Sequence, residues 1–90
     1  MEILCTELFQ KQLTNILETF SNIDLAATQK FKSYLDTIII NIPTKASKYK
    51  QSQYFNDKDI REVIHENFII FFYVKEDTQT YLILSIVEKN

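Results

Sequence analysis

The sequence predicts an α+β fold, with the element order β-α-α-β-β-β and an N-terminal helical hairpin packed on an antiparallel sheet. Two observations predict it. Apolar residues recur at helical spacing through the first half of the chain, then at strand spacing or without interruption through the last third. The connections between these segments are only a few residues long, so neighbours in sequence become neighbours in space. A third observation sets the scale. Of 90 residues, 46% are hydrophobic and 13% aromatic, far too rich for a disordered segment. Ninety residues amount to one domain, residues 1–90, and a chain that short buries roughly 60–65% of its unfolded surface around a thin core. No repeat, low-complexity tract or linker divides it.

Met1–Thr6 reads as a short strand with Ile3 and Cys5 on one side and Leu4 on the other, and Cys5 is expected in the core. From Glu7 the period changes. Phe9, Leu13, Ile16, Leu17 and Phe20 form one helical stripe that ends near Ser21-Asn22. Asp24 is a good N-cap for a second helix, with Ile23 before it as a staple residue. Ala27, Phe31, Leu35, Ile38 and Ile42 continue that stripe until Asn41 and Pro43 stop it. A lysine-bearing segment follows. Ile60–His65 then alternates as a strand, Phe68–Lys75 is apolar almost throughout, as in a strand covered on both faces, and Thr80–Val87 is similar. Glu66-Asn67 and Glu76–Gln79 are short enough for hairpins, so the three strands form an antiparallel meander beside which the first strand joins the sheet. The chain has no glycine. Positions needing φ > 0 must be filled otherwise, and Asn22, Asn41, Asn56, Asn67 and Asp77 fall where turns are expected.

The net charge is −2 and the pI about 5.3, which argues against general nucleic-acid binding, because phosphate neutralisation demands a basic surface. The charge is uneven, however: Lys45, Lys48 and Lys50 lie between Pro43 and Asn56 with no acid among them. The single cysteine forms no internal bridge. The first residues lack a basic n-region and long apolar run, and Ile38–Ile40 and Phe68–Val74 are too short to span a bilayer. A cytoplasmic protein without membrane contact is therefore expected. There is no Gly-rich phosphate loop, no Cys/His metal set and no nucleophile paired with a base, so neither a metal nor a cofactor is expected.

The C-terminal third, IREVIHENFIIFFYVKEDTQTYLILSIVEKN, carries an arginine in its first strand (Arg61), an aromatic-apolar middle strand (Asn67–Tyr73), an acidic turn, and a final strand Tyr81–Ile86. With the TELFQKQLTNIL segment near the N-terminus and the element order, the chain resembles the RelE/ParE toxin superfamily of type II toxin–antitoxin systems over essentially its whole length. The resemblance implies a toxin neutralised by a cognate antitoxin. It implies one of two actions: binding a protein target such as DNA gyrase, as in the ParE-like branch, or cutting mRNA in the ribosome, as in the RelE-like branch.

Metal-free RNA cleavage needs a base, an acid and cations for the phosphorane charge. For that chemistry the candidates are Arg61 as cation, His65 and Glu88 as proton-transfer groups, and Lys45, Lys48 and Lys50 as basic contacts, with Tyr49 and Tyr54 interleaved to stack on bases. Each has a plainer reading: a solvated strand arginine, a turn histidine, a terminal glutamate, loop lysines, and tyrosines that lay their rings on the core. After the last strand the chain ends Val87-Glu88-Lys89-Asn90, without the His or Tyr that the nuclease branch usually has there. That ending and the acidic pI favour the ParE-like side. A non-toxic interaction domain is the third reading.

Overall fold

The computed structural model describes residues 1–89. Strand β1 (Glu2–Cys5) leads into helices α1 (Glu7–Ser21) and α2 (Leu25–Lys45), a 3-10 turn at Ala46–Lys48, and strands β2 (Ile60–His65), β3 (Phe68–Lys75) and β4 (Thr80–Glu88). The expected order of elements holds. The four strands lie in the order β1-β4-β3-β2, with β2–β3 and β3–β4 antiparallel and β1–β4 parallel. The sheet is thus mixed rather than wholly antiparallel. A parallel pair needs a long crossover, and everything from α1 to β3 serves as one.

Helix α1 starts at Thr6, whose hydroxyl accepts from the Phe9 N–H at 3.0 Å and donates to the Leu84 carbonyl at 2.7 Å. That carbonyl belongs to a bulge: Phe71 pairs with Ser85 and Phe72 with Ile83, which leaves Leu84 as the extra residue of β4. One side chain therefore caps a helix and satisfies the backbone group that the bulge turns out of the ladder. Further along β4, past the end of β1, Gln12 of α1 accepts from the Ile86 N–H at 2.9 Å. Helix α2 begins at Asp24, whose carboxylate accepts from the Ala27 N–H at 3.0 Å, as its N-cap position requires.

The expected stop at Pro43 does not occur. Helix α2 runs through it to Lys45, because the missing N–H costs one bond near the C-terminus while Ile42 and Ala46 on either side are buried. Asn41 stays helical and bonds the Thr37 carbonyl at 2.9 Å.

The helices cover one sheet face. Phe9, Phe31, Leu35 and Ile42 pack with Phe68, Ile70, Phe72, Val74, Ile83 and Ile86, and Leu13, Ile16, Leu17 and Phe20 close the margin. Phe20 and Phe31 meet edge to face at 6.0 Å near the helix connection.

Three smaller expectations fail. Cys5 is exposed because β1 is an edge strand. Ile23 is 81% exposed, so it staples nothing. The residues with φ > 0 are Glu66 (54°) and Gln79 (52°), not the asparagines or Asp77. In a two-residue hairpin the first turn residue takes the left-handed position, and Glu66 happens to occupy it. Asn22 instead holds an ordinary right-handed helix C-cap.

Candidate functional site

Arg61 lies on the helix-covered face of β2, where its register partner is Phe72. Its Nη1 donates to the Ala46 carbonyl at 2.6 Å, which lies just past the end of α2 and also accepts from the Tyr49 N–H at 3.2 Å. Its Nη2 stands 4.0 Å from the exposed Glu76 carboxylate. The guanidinium therefore closes the C-terminal end of α2. An open cleft of about 250 Å³ beside it is lined by Pro43, Ser47, Glu76, Gln79 and Tyr81.

His65 shares that face at the other end of the strand. Three residues of strand lie between it and Arg61, so four rises put them roughly 13 Å apart. Its ring is buried against Phe31 at 5.0 Å with Tyr34 at 6.5 Å, and its Nε2 finds no hydrogen-bond partner among the described residues. It is not the exposed turn residue that its sequence position suggests, because β2 continues through it and α2 lies over it.

Glu88 ends β4 opposite Phe68, which in turn is opposite His65. It is two strands away from the histidine, roughly 10 Å, and its Oε2 accepts from the Asn67 side-chain amide at 3.2 Å. The three proton-transfer and cation candidates are thus brought onto one sheet but not to one point.

The lysine-tyrosine segment is also divided. Tyr49 sits edge-on to Phe72 at 5.8 Å in the helix-side core, whereas Tyr54 sits edge-on to Phe71 at 5.7 Å on the opposite face. Lys45 and Lys48 are exposed at the end of α2. Lys50 Nζ lies 4.0 Å from Glu62 Oε2. Glu62 is buried, and its Oε1 accepts from the Gln53 N–H at 3.3 Å. Together with Ser52 N donating to the Ile60 carbonyl at 2.8 Å, this carboxylate holds the segment down along β2. The plainer sequence reading of Arg61 pairs it with Asp59 or Glu62; Glu62 instead lies on the opposite face of β2, opposite Phe71, and holds this segment.

Among the described residues no helix lies across the other sheet face. Ile69 and Phe71 are buried there, while Leu8, Tyr54, Phe55, Ile64 and Val87 present exposed apolar surface around them. Phe55 meets Phe71 edge to face at 5.2 Å. All of these side chains except Ile64 border an open groove of about 590 Å³ that runs to Gln12, Glu88 and Lys89. A second apolar groove, about 420 Å³, lies at the helix connection between Phe20, Ile23, Ala27 and Phe31. Scattered apolar residues are ordinary on a surface, whereas a contiguous cluster rimmed by polar groups is the mark of an interaction site. Phe55, which the sequence reading passed over, is one of its principal members. Among the described residues no helix is long and apolar enough to cross a membrane.

No curated protein matches the sequence. Among solved structures, a chain described as "Chromosomal ParDE TA system from P. aeruginosa" superposes with a TM-score of 0.73 at 18% identity, covering 100% of this chain and 97% of that one. The solution structure of the conserved hypothetical protein HP0892 from Helicobacter pylori gives 0.61 at 20% identity, covering 98% and 93%. At such identities these likenesses speak for the fold. The family model for the ParE toxin of type II toxin–antitoxin systems, parDE, matches residues 3–89, so the chain belongs to the ParE toxin family.

Proposed function

We propose that the chain is the toxin of a type II toxin–antitoxin pair that arrests growth by binding a protein target, DNA gyrase, and is neutralised by a cognate antitoxin whose tail covers its apolar grooves. The observation that carries this reading is the dispersal of the nuclease candidates. General acid–base cleavage requires the groups to converge within hydrogen-bond reach of one phosphate. Arg61 is instead committed to the Ala46 carbonyl, His65 is stacked beneath α2, and Glu88 is bonded to Asn67. What the surface offers is apolar: the groove around Ile69, Phe71, Tyr54 and Phe55 fits the nonpolar side of an extended or helical peptide tail.

Controlled expression of the full chain in a bacterial host tests the proposal. The expected result is growth arrest with an induced DNA-damage response, and inhibition of purified gyrase by the isolated protein. Rapid mRNA cleavage at ribosome-positioned sites without gyrase inhibition overturns it in favour of the ribosome-dependent endoribonuclease. The absence of any growth effect in several hosts overturns it in favour of a non-toxic interaction domain.

A further inference from the structure

Sheet edges expose rows of unpaired backbone groups, and natural proteins cover, charge or bend them. This chain covers most of its own. The outer edge of β2 is paired with the preceding segment through an isolated bridge from Gln51 to Arg61, with Ser52 N donating to Ile60 O and Glu62 N donating to Lys50 O. The edge of β4 beyond β1 is covered by Thr6 and Gln12. Strand β1 is the exception.

Its inner side is defined by Glu2 N donating to Gln79 O and Thr6 N donating to Ile83 O. In a parallel ladder alternate residues turn their backbone to the same neighbour, so Glu2, Leu4 and Thr6 face β4, while Ile3 and Cys5 turn their N–H and C=O groups outward. Among the described residues one outward group has a partner: the Cys5 carbonyl accepts from the exposed Gln10 side-chain amide at a long 3.4 Å. The strand carries no lysine or proline, and Leu4 is 44% exposed on the helix-free face.

We infer that β1 is a self-association edge, on which a second copy of this chain adds its own β1 antiparallel about a two-fold axis through Leu4. The register is self-complementary. Ile3 lies opposite Cys5 of the second copy, and the two exchange both backbone hydrogen bonds; the symmetry repeats the exchange on the other side of the axis. Leu4 then faces its own copy as the closely spaced, non-hydrogen-bonded pair, with Cβ atoms about 4.5–5.5 Å apart. Glu2 lies opposite Thr6, so no like charges are opposed. The incoming Ile3 amide replaces the long Gln10 contact. Such an interface is isologous and closes after two copies, joining two four-stranded sheets into one. Its small area makes it weak, with a dissociation constant on the order of 0.1 mM.

The register supplies the test. In the full chain carrying Leu4→Cys with Cys5→Ser, the two introduced thiols face each other across the axis at a separation that a disulfide closes with little movement. In the native chain Cys5 faces Ile3, and the two Cys5 side chains are diagonal, about 7–8 Å apart. Under the same oxidising buffer the L4C/C5S chain is expected to form covalent dimer at least about tenfold faster than the native chain. In sedimentation equilibrium over about 0.02–1 mM, the native chain is expected to dimerise, and Leu4→Lys to raise the dissociation constant at least about tenfold, with both variants retaining the native circular dichroism spectrum. A native chain that stays monomeric throughout overturns the inference. So does a dimer indifferent to Leu4→Lys, equal cross-linking of the two chains, or protection of the β1 amides from exchange only by a different protein.

Discussion

Replacing Arg61 by alanine separates a structural arginine from a catalytic one. The bond from Nη1 to the Ala46 carbonyl is short, 2.6 Å, and the side chain is 22% exposed. A hydrogen bond from a charged donor in such a setting is worth ~1.5–3 kcal/mol. The Glu76 contact adds little, because it is 4.0 Å long and its carboxylate is 80% exposed. A loss of about 2 kcal/mol is therefore expected. A chain of this length has an unfolding entropy near ~0.19 kcal/mol/K, so the melting temperature should fall by ~10 °C. Arg61→Lys, which keeps a cation near the carbonyl without the planar fork, should recover about half of the loss. The assay is thermal unfolding of the purified variants, paired with growth inhibition at a temperature where all of them are folded. Toxicity of Arg61→Ala should then track its folded fraction. An Arg61→Ala chain that melts within ~2 °C of the native protein but has lost all toxicity would refute this reasoning and place the guanidinium on a target or substrate.

Four other outcomes follow from the same structure. Thr6→Ala removes both the α1 cap and the bond to Leu84 and should cost ~2 kcal/mol in urea unfolding, whereas Thr6→Ser, which keeps the hydroxyl, should cost under ~1. Glu66→Gly relieves a non-glycine residue held at φ 54° and should raise the melting temperature by ~2–3 °C, the relief partly offset by glycine's extra unfolded-state entropy; Asn67→Gly should give no such gain. Leu35→Ala at a fully buried position should cost ~3 kcal/mol, measurable as a shift of the denaturation midpoint. Partial desolvation pushes the Cys5 thiol above its ordinary range, so fewer thiolates exist at mildly alkaline pH. Its alkylation should be slower there than for a cysteine in a short peptide, and should continue to accelerate after the peptide's rate has levelled off.

The sequence was most legible where one periodicity governed a whole element. The stripe from Phe9 to Phe20, the cap at Asp24 and the strand limits at Ile60–His65 and Phe68–Lys75 match the structure because local pattern and tertiary burial agree there. What could not be read depends on which strand lies beside which. Strand β1 has the same alternation whether central or at an edge, so neither its parallel pairing with β4 nor the exposure of Cys5 was visible. Pro43 looks like a stop until the burial of Ile42 and Ala46 is known. The candidate site suffered from the same cause. Tyr49 and Tyr54 are five positions apart in one segment, and only the path of that segment around the β2 edge sends their rings to opposite faces of the sheet. His65 adjoins a turn in sequence yet lies beneath α2.

The two faces of β3 explain why this small chain keeps a large apolar surface open. Phe68, Ile70, Phe72 and Val74 are buried by the helices, but Ile69 and Phe71, on the other face, are buried as well. The helices reach only the margin of that side, through Leu8 and Gln12 of α1. The work is done by the segment before β2, which lays Tyr54 and Phe55 edge-on against Phe71 and is held by the buried Glu62 carboxylate on the Gln53 N–H. This cover is partial, since Tyr54 and Phe55 remain 59% and 41% exposed. A helix across the same face would bury those rings and extinguish the groove. A short strap, held along β2 by backbone bonds at Lys50 and Ser52 and by the Glu62 carboxylate at Gln53, keeps Phe71 dry while leaving apolar area open. The strap and the partner's surface are therefore contiguous, and loosening Glu62 should disturb partner binding before it disturbs the helix-side core.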